Sequence, residues 1–170
     1  MKEFIILVDK NDKEIGSDEK LKVHKEGSLH RAFSIFIFNS KKELMLQQRA
    51  ESKYHSAGLW SNTCCSHPRV GEETIDAAHR RLQEEMGFGC PLKDIFSFCY
   101  KANLDKEMIE HEYDHVFVGS FDGQPILNPD EACDYKWITI KDLNEDIDKN
   151  PERYSFWLKN CWQKVIDSVL

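Results

Sequence analysis

"SHPRVGEETIDAAHRRLQEEMGF", residues 66–88, carries the strongest periodic signal in the chain. From Thr74 to Met86 the apolar side chains Ile75, Ala78, Leu82 and Met86 recur at the spacing of one helical face, and Gly87 supplies a stop. The spacing predicts an amphipathic helix that lays this stripe on a core.

The segments around that helix read mostly as strands. "FIILVD" is a short strand, and "KNDKEIG" the polar turn after it. "AFSIFIFNSKKELMLQQR" places two apolar runs around the turn "NSKK", a hairpin signal, and the first run is apolar on both faces, as in a central strand. "IFSFCYKAN", "EYDHVFVGSF" and "YKWITI" add three strands, "IKDLNEDI" a short helix and "RYSFWLKNCWQKVIDSVL" an amphipathic C-terminal helix. No internal repeat or linker interrupts the 170 residues, so one α/β layer structure is expected, a mixed sheet with helices on its faces.

The 23 basic and 30 acidic side chains leave a net charge of −7, which disfavours nucleic acid or an anionic membrane as partner of the whole surface. Any phosphate binding must be local. The N-terminal apolar run is too short for a signal peptide or a membrane span, and the six cysteines form no CxxC pair, so a cytoplasmic chain with free thiols is expected.

Two of those cysteines are adjacent, in "WSNTCCSHP", residues 60–68. If residues 59–67 are extended, alternation puts Cys65 and His67 on one face and Cys64 on the other, one thiol for chemistry and one for packing. Glu110 and Glu112 in "EHEYDH" are likewise two apart and share a side of a strand. With His24, His30 and His67 they form a mixed imidazole and carboxylate set suited to Mn²⁺, Zn²⁺ or Mg²⁺. His111 and His115 fall on the face opposite Glu112 and are left out.

Residues 66–88 also resemble a Nudix box with two residues exchanged. Ser66 stands for the first Gly; Glu72, Arg80, Leu82, Glu84, Glu85, Gly87 and Phe88 fit the pattern, and Arg81 replaces its Glu. Nudix hydrolases gather Mg²⁺ with the carboxylates of this helix; a cation at 81 removes a ligand and repels metal, so pyrophosphate hydrolysis becomes the less favoured reaction. Arg81 and Glu85, four apart, share a helix face, where guanidinium could grip a diphosphate oxygen and carboxylate an Mg²⁺ on the same group. An intrahelical salt bridge on a solvated surface is the alternative.

"LHRAFSIFIFN", "LQQRAESK", "NTCCSHP", the Arg80-Arg81 helix, "EHEYDH" and "YSFWL", in that order, resemble type 1 isopentenyl-diphosphate isomerase. The resemblance covers nearly the whole chain and implies a single domain of residues 1–170, a Nudix-type mixed β-sheet sandwiched between helices. It further implies that Cys65 is catalytic while Cys64 packs, and that Glu112 is the second catalytic group and a metal ligand beside His24, His30, His67 and Glu110. Tyr100 matches the tyrosine bonded to that glutamate, and Trp157 the tryptophan that covers the reacting carbons. Lys20, Arg49, Lys53 and Arg81 match diphosphate-binding positions; Glu85 and the main chain of Cys65 match the site of the Mg²⁺ that accompanies the diphosphate. The loop "HKEGSLH" is a residue shorter than in some members.

The implied partner is a small allylic or homoallylic diphosphate, with no nucleic acid and no membrane, and a monomer is favoured. Moving a double bond in it takes a proton added to an unactivated alkene and another removed from C2, through a tertiary carbocation. Two readings compete. A Nudix hydrolase of a nucleoside diphosphate derivative predicts Glu at position 81 and has no use for Cys65; a noncatalytic metal- or phosphate-binding domain predicts that Cys65 is dispensable.

Overall fold

The computed structural model describes residues 2–170. β1 (Phe4–Val8) and β2 (Glu14–Glu19) form an antiparallel pair, and β1 meets β3 (His30–Phe38) at Leu7↔His30. β3 is the hub of a nine-stranded sheet. On it lie β6 (Cys64–Ser66), antiparallel, and β8 (Ile109–Ser120), parallel from His30↔Glu112 to Phe38↔Ser120. β7 (Leu92–Asn103) runs antiparallel to β8, while β4 (Leu44–Arg49) carries β9 (Ala132–Ile138) and the short β5 (Trp60–Ser61). The described residues also form four α-helices: α1 (Lys20–Glu26), α2 (Thr74–Met86), α3 (Ile140–Lys149) and α4 (Phe156–Val169). No helix among the described residues is long and apolar enough to cross a membrane.

Alternation along β3 explains the layers. Phe33, Ile35 and Ile37, with Cys64 and Phe117, meet Ala77, Ala78, Leu82 and Met86 of α2. Phe36 and Phe38, with Leu44, Leu46 and Val116, meet Leu143 of α3 and Leu158, Trp162 and Val165 of α4. Both faces of β3 are therefore buried, as a run apolar on both faces requires, and the mixed sheet between helices is the architecture expected. α2 ends as predicted: Gly87 adopts φ 72°, and a Cβ there would stand 2.5 Å from the Ile126 carbonyl oxygen.

Several boundaries differ from the sequence reading. Residues 10–16 are only partly a turn, because β2 begins at Glu14; that strand is largely exposed at the sheet edge and carries no apolar alternation. α1 was not expected at all. The predicted hairpin of β3 and β4 pairs only at Phe38↔Leu44, after which β4 turns away to β9. Residues 59–67 are not one strand but β5 and β6 with Asn62 and Thr63 between them. Ile75 was assigned to the buried stripe of α2 but is 36% exposed, and Ala77 is buried in its place. The C-terminal helix starts at Phe156, after a short 3₁₀ turn at Pro151–Arg153.

Candidate active site

The face of the sheet that α4 covers also holds the polar residues singled out above. Register partners point the same way: His30 lies opposite Glu112 on β8, Ser34 opposite Cys65 on β6, and Tyr100 of β7 opposite Glu112. The two-residue spacing of β8 adds Glu110 and Asp114 to that face. β6 directs Cys64 into the α2 core, fully buried, and half-buried Cys65 into the cavity, which confirms the alternation expected of the two thiols.

One tight cavity, about 40 Å³, brings the proposed groups together. Its lining includes Cys65, Glu112, Tyr100 and Trp157; the cations Lys20, Arg49, Lys53 and Arg81; and Glu85, His67 and Glu110.

His24, His30, His67, Glu110 and Glu112 offer ligand atoms that all lie within 4.8 Å of one another, and all five residues are buried. α1 supplies His24 from its last turn, and left-handed Gly27 ends that turn (φ 71°). The ring Nδ1 of His24 is 2.7 Å from the Lys20 carbonyl and that of His30 is 2.9 Å from the Ser28 carbonyl. A carbonyl only accepts, so each Nδ1 carries the proton and each Nε2 turns a lone pair inward. Both Nε2 atoms and Glu110 Oε2 are buried without a hydrogen-bond partner. Orphaned acceptors converging on one point fit a divalent cation, and no protein donor satisfies them. Cys65 and Glu85 lie outside this five-residue group.

The carboxylates are held on several sides. Glu112 accepts from the Tyr100 hydroxyl at 2.7 Å through Oε2, while its Oε1 is 3.2 Å from His67 Nε2. Burial would raise the Glu110 carboxyl, but the neighbouring His24 and His55 imidazoles outweigh it and hold the group well below the ordinary range. Burial lowers the His67 imidazole to about 4, leaving it neutral as a ligand must be. Burial raises the Cys65 thiol, with the charge of Asp114 adding to the effect, so it stands as a neutral thiol.

His55 was missed by the sequence reading. Its Nε2 is 3.0 Å from Glu110 Oε1 and it is 3% exposed, in an irregular segment that no periodicity marks. Ser34 and Asp114, bonded at 2.7 Å, were missed too, although Asp114 continues the alternating series Glu110, Glu112.

Arg81 is no solvated helix charge. Its guanidinium meets Glu85 (2.6 Å), Glu84 (2.7 Å), Glu131 (2.9 Å) and the Ser66 hydroxyl (3.1 Å), with Glu85 itself 3% exposed and bonded to Gln47. Lys53 meets Glu131 at 2.6 Å. Lys20 pairs with Glu3 at 3.0 Å. Arg49 donates to the carbonyls of His55 and Ser56 and stands 5.1 Å from the Trp157 ring, so one neighbour of that ring is already a cation.

Glu131 thus draws two of the four cations together. Burial would raise its carboxyl, but the charge and bond of Lys53, then those of Arg81, hold it down to about 2. A folded value below the ordinary one means stabilisation that is complete above about pH 4.5 and lost as pH falls toward about 2. Glu131→Gln is therefore expected to lower the unfolding free energy by about 2 kcal/mol at pH 7, the difference closing below pH about 3. Urea titrations of both proteins across that range check it.

Comparison with known proteins shows the family and the fold. Residues 28–158 match the model of the NUDIX domain. Isopentenyl-diphosphate Delta-isomerase 2 of Aromatoleum aromaticum is 57% identical over 98% of this chain and 88% of its own length. The chain belongs to the isopentenyl-diphosphate Delta-isomerase family. A second member, Isopentenyl-diphosphate Delta-isomerase 2 of Photorhabdus laumondii, is also 57% identical, over 98% of this chain and all of its own length. The solved structure of DR0079 from Deinococcus radiodurans shares the fold, with a TM-score of 0.73 at 20% identity over 87% of this chain and 90% of that one. Membership of the isomerase family favours the isomerase reading over the hydrolase one, in line with Arg at 81 and a cavity-facing thiol at 65.

Proposed function

We propose that this chain interconverts isopentenyl and dimethylallyl diphosphate, with Cys65 and Glu112 as the proton-transferring pair. The observation that carries the proposal is the shared cavity, where a thiol from β6 and a carboxylate from β8 line a single slot. In one direction a proton adds to the terminal carbon, the C3=C4 π electrons forming the new C–H bond and leaving a tertiary cation at C3. Loss of a proton from C2 returns its bonding pair as the C2=C3 double bond. No electron leaves the substrate, so no redox partner is needed. The two groups exchange roles in reverse.

Lys20, Arg49, Lys53 and Arg81 would bind the diphosphate, releasing their present counter-ions Glu3 and Glu131 in part. Tyr100 orients Glu112 through its hydrogen bond. Trp157, 4% exposed, offers a ring beside the reacting carbons and helps to exclude water, which would otherwise quench the cation to an alcohol. The cavity is far smaller than the roughly 300–1,000 Å³ of small-molecule sites, so substrate entry requires its lining to move outward.

His24, His30, His67, Glu110 and Glu112 would hold Mn²⁺, Zn²⁺ or Mg²⁺, and Glu85 with the Cys65 main chain an Mg²⁺ accompanying the diphosphate. A cation at these places supplies positive charge that strengthens the acidity of attached groups and neutralises phosphate oxygens. One domain over residues 1–170, acting as a monomer in the cytoplasm, suits the six free thiols and the net charge of −7, which disfavours nucleic acid and anionic membranes as partners of the whole surface.

The test is direct. Purified protein with Mg²⁺ should interconvert the two diphosphates and, in D₂O, wash deuterium into the substrate. Substrate left unlabelled after long incubation would reject the proposal.

A further inference from the structure

Between β5 and β6 lies a buried amide whose orientation follows from its partners alone. Asn62 is fully buried, and its Nδ2 sits 3.0 Å from the Ile35 carbonyl and 3.2 Å from the Cys64 carbonyl. Carbonyls only accept, so the nitrogen end of the amide is fixed there and Oδ1 must point the other way. That oxygen receives two donors, the Cys65 thiol at 3.1 Å and the Ser61 hydroxyl at 3.0 Å.

Ser61, 2% exposed, thereby spends its only proton on Asn62. What approaches its oxygen must donate, and two groups do: the Trp157 indole Nε1–H at 2.8 Å and the Ser155 hydroxyl at 3.1 Å. Ser155 directly precedes α4 and is tied to β5 through its amide, which donates to the Trp60 carbonyl at 2.9 Å. Every donor and acceptor in this chain of bonds has one consistent direction, from the indole through Ser61 to Asn62, with the thiol arriving at the same oxygen.

We infer that Asn62 and Ser61 are a positioning pair that fixes the Cys65 thiol and the Trp157 ring to one another through the Asn62 carboxamide. The inference rests on the proposed roles of Cys65 and Trp157 but assigns the pair a task those roles do not contain. Neither residue lines the cavity itself, so both act through Cys65 and Trp157, the lining residues they hold. The bonds are short and buried, where misplacement of a reacting group by a fraction of an ångström is felt in the rate rather than in substrate binding.

Ser61→Ala removes the link and leaves Asn62 Oδ1 with the thiol alone, whereas Ser61→Thr keeps the hydroxyl on a strand that tolerates β-branching. Steady-state kinetics of the full chain with Mg²⁺ and isopentenyl diphosphate should show kcat of Ser61→Ala down about tenfold with KM within about twofold, and Ser61→Thr near the parent. Asn62→Ala should also speed alkylation of Cys65 by iodoacetamide, read by mass on the Cys65 peptide, at least about threefold, because the thiol loses the buried amide that holds it in place and the space left opens it to the reagent. The alkylation needs no substrate, so it tests the positioning even if isomerase activity is absent. An unchanged kcat in Ser61→Ala, a Ser61→Thr as impaired as Ser61→Ala, or unaltered alkylation in Asn62→Ala would overturn the inference; the Ser61 variants decide it should Asn62→Ala fail to fold.

Discussion

Cys65→Ala is expected to lower turnover by at least about 10³-fold with the fold retained, because a positioned acid or base contributes roughly 10²–10⁴ and nothing else on that side of the cavity replaces it. The sulfur is the group β6 aims into the slot, with Asn62 Oδ1 at 3.1 Å and the Ser34 hydroxyl at 3.5 Å. Ser34 already bonds Asp114, so neither neighbour can take over as proton donor without breaking a buried bond. Cys64→Ala is the control. That side chain sits among Ala77, Leu82 and Met86 in the opposite core, and its truncation should cost about 1 kcal/mol of stability and leave most of the turnover. Turnover of both variants, with circular dichroism to verify folding, separates the two thiols. Equal losses would mean that the cavity thiol is not the acting one.

That contrast was readable from the sequence because alternation in a strand is a rigid rule once the strand exists, and β6 is held in register by β3. For the same reason Glu110 and Glu112 could be paired from their spacing, and β3 recognised as central from a run that is apolar on both faces. α2 announced itself by its stripe and Gly87, although the position of Ile75 shows that one residue of such a stripe can lie at its border. α1 had no comparable signal: its seven residues, KLKVHKE, bury only Val23 and His24, and too few apolar positions exist to set a period. His55 lay beyond reach for another reason. It sits in an irregular segment and meets Glu110, 55 residues away, through a contact that only the tertiary fold creates. The same holds for Ser61, the last residue of the two-residue β5, and Asn62 just after it, and for Glu131, whose role appears only when three separate segments bring Lys53 and Arg81 to it.

Glu112→Gln should produce a loss as large as that of Cys65→Ala, at least about 10³-fold in turnover, joined by a fall in bound metal that the cysteine variant does not show. The substitution keeps the shape, and the amide oxygen can still accept from Tyr100, whose hydroxyl lies 2.7 Å from Oε2. What changes is on the other oxygen. Oε1 lies 3.2 Å from His67 Nε2 and 3.6 Å from His30 Nε2, and an NH₂ in its place offers protons where a cation needs a lone pair. The amide also cannot exchange a proton with a substrate carbon as a carboxyl group can. The two deficits separate experimentally, since metal content measured by mass spectrometry reports the ligand and turnover at saturating Mn²⁺ or Zn²⁺ reports the proton. If added metal restored turnover in Glu112→Gln, the carboxylate would be a ligand only, and the group facing Cys65 across the slot would have to be sought elsewhere. Turnover that stays low with the metal site refilled requires the residue to handle the proton itself, since the cation would then be present and the carboxylate's basicity the one property missing.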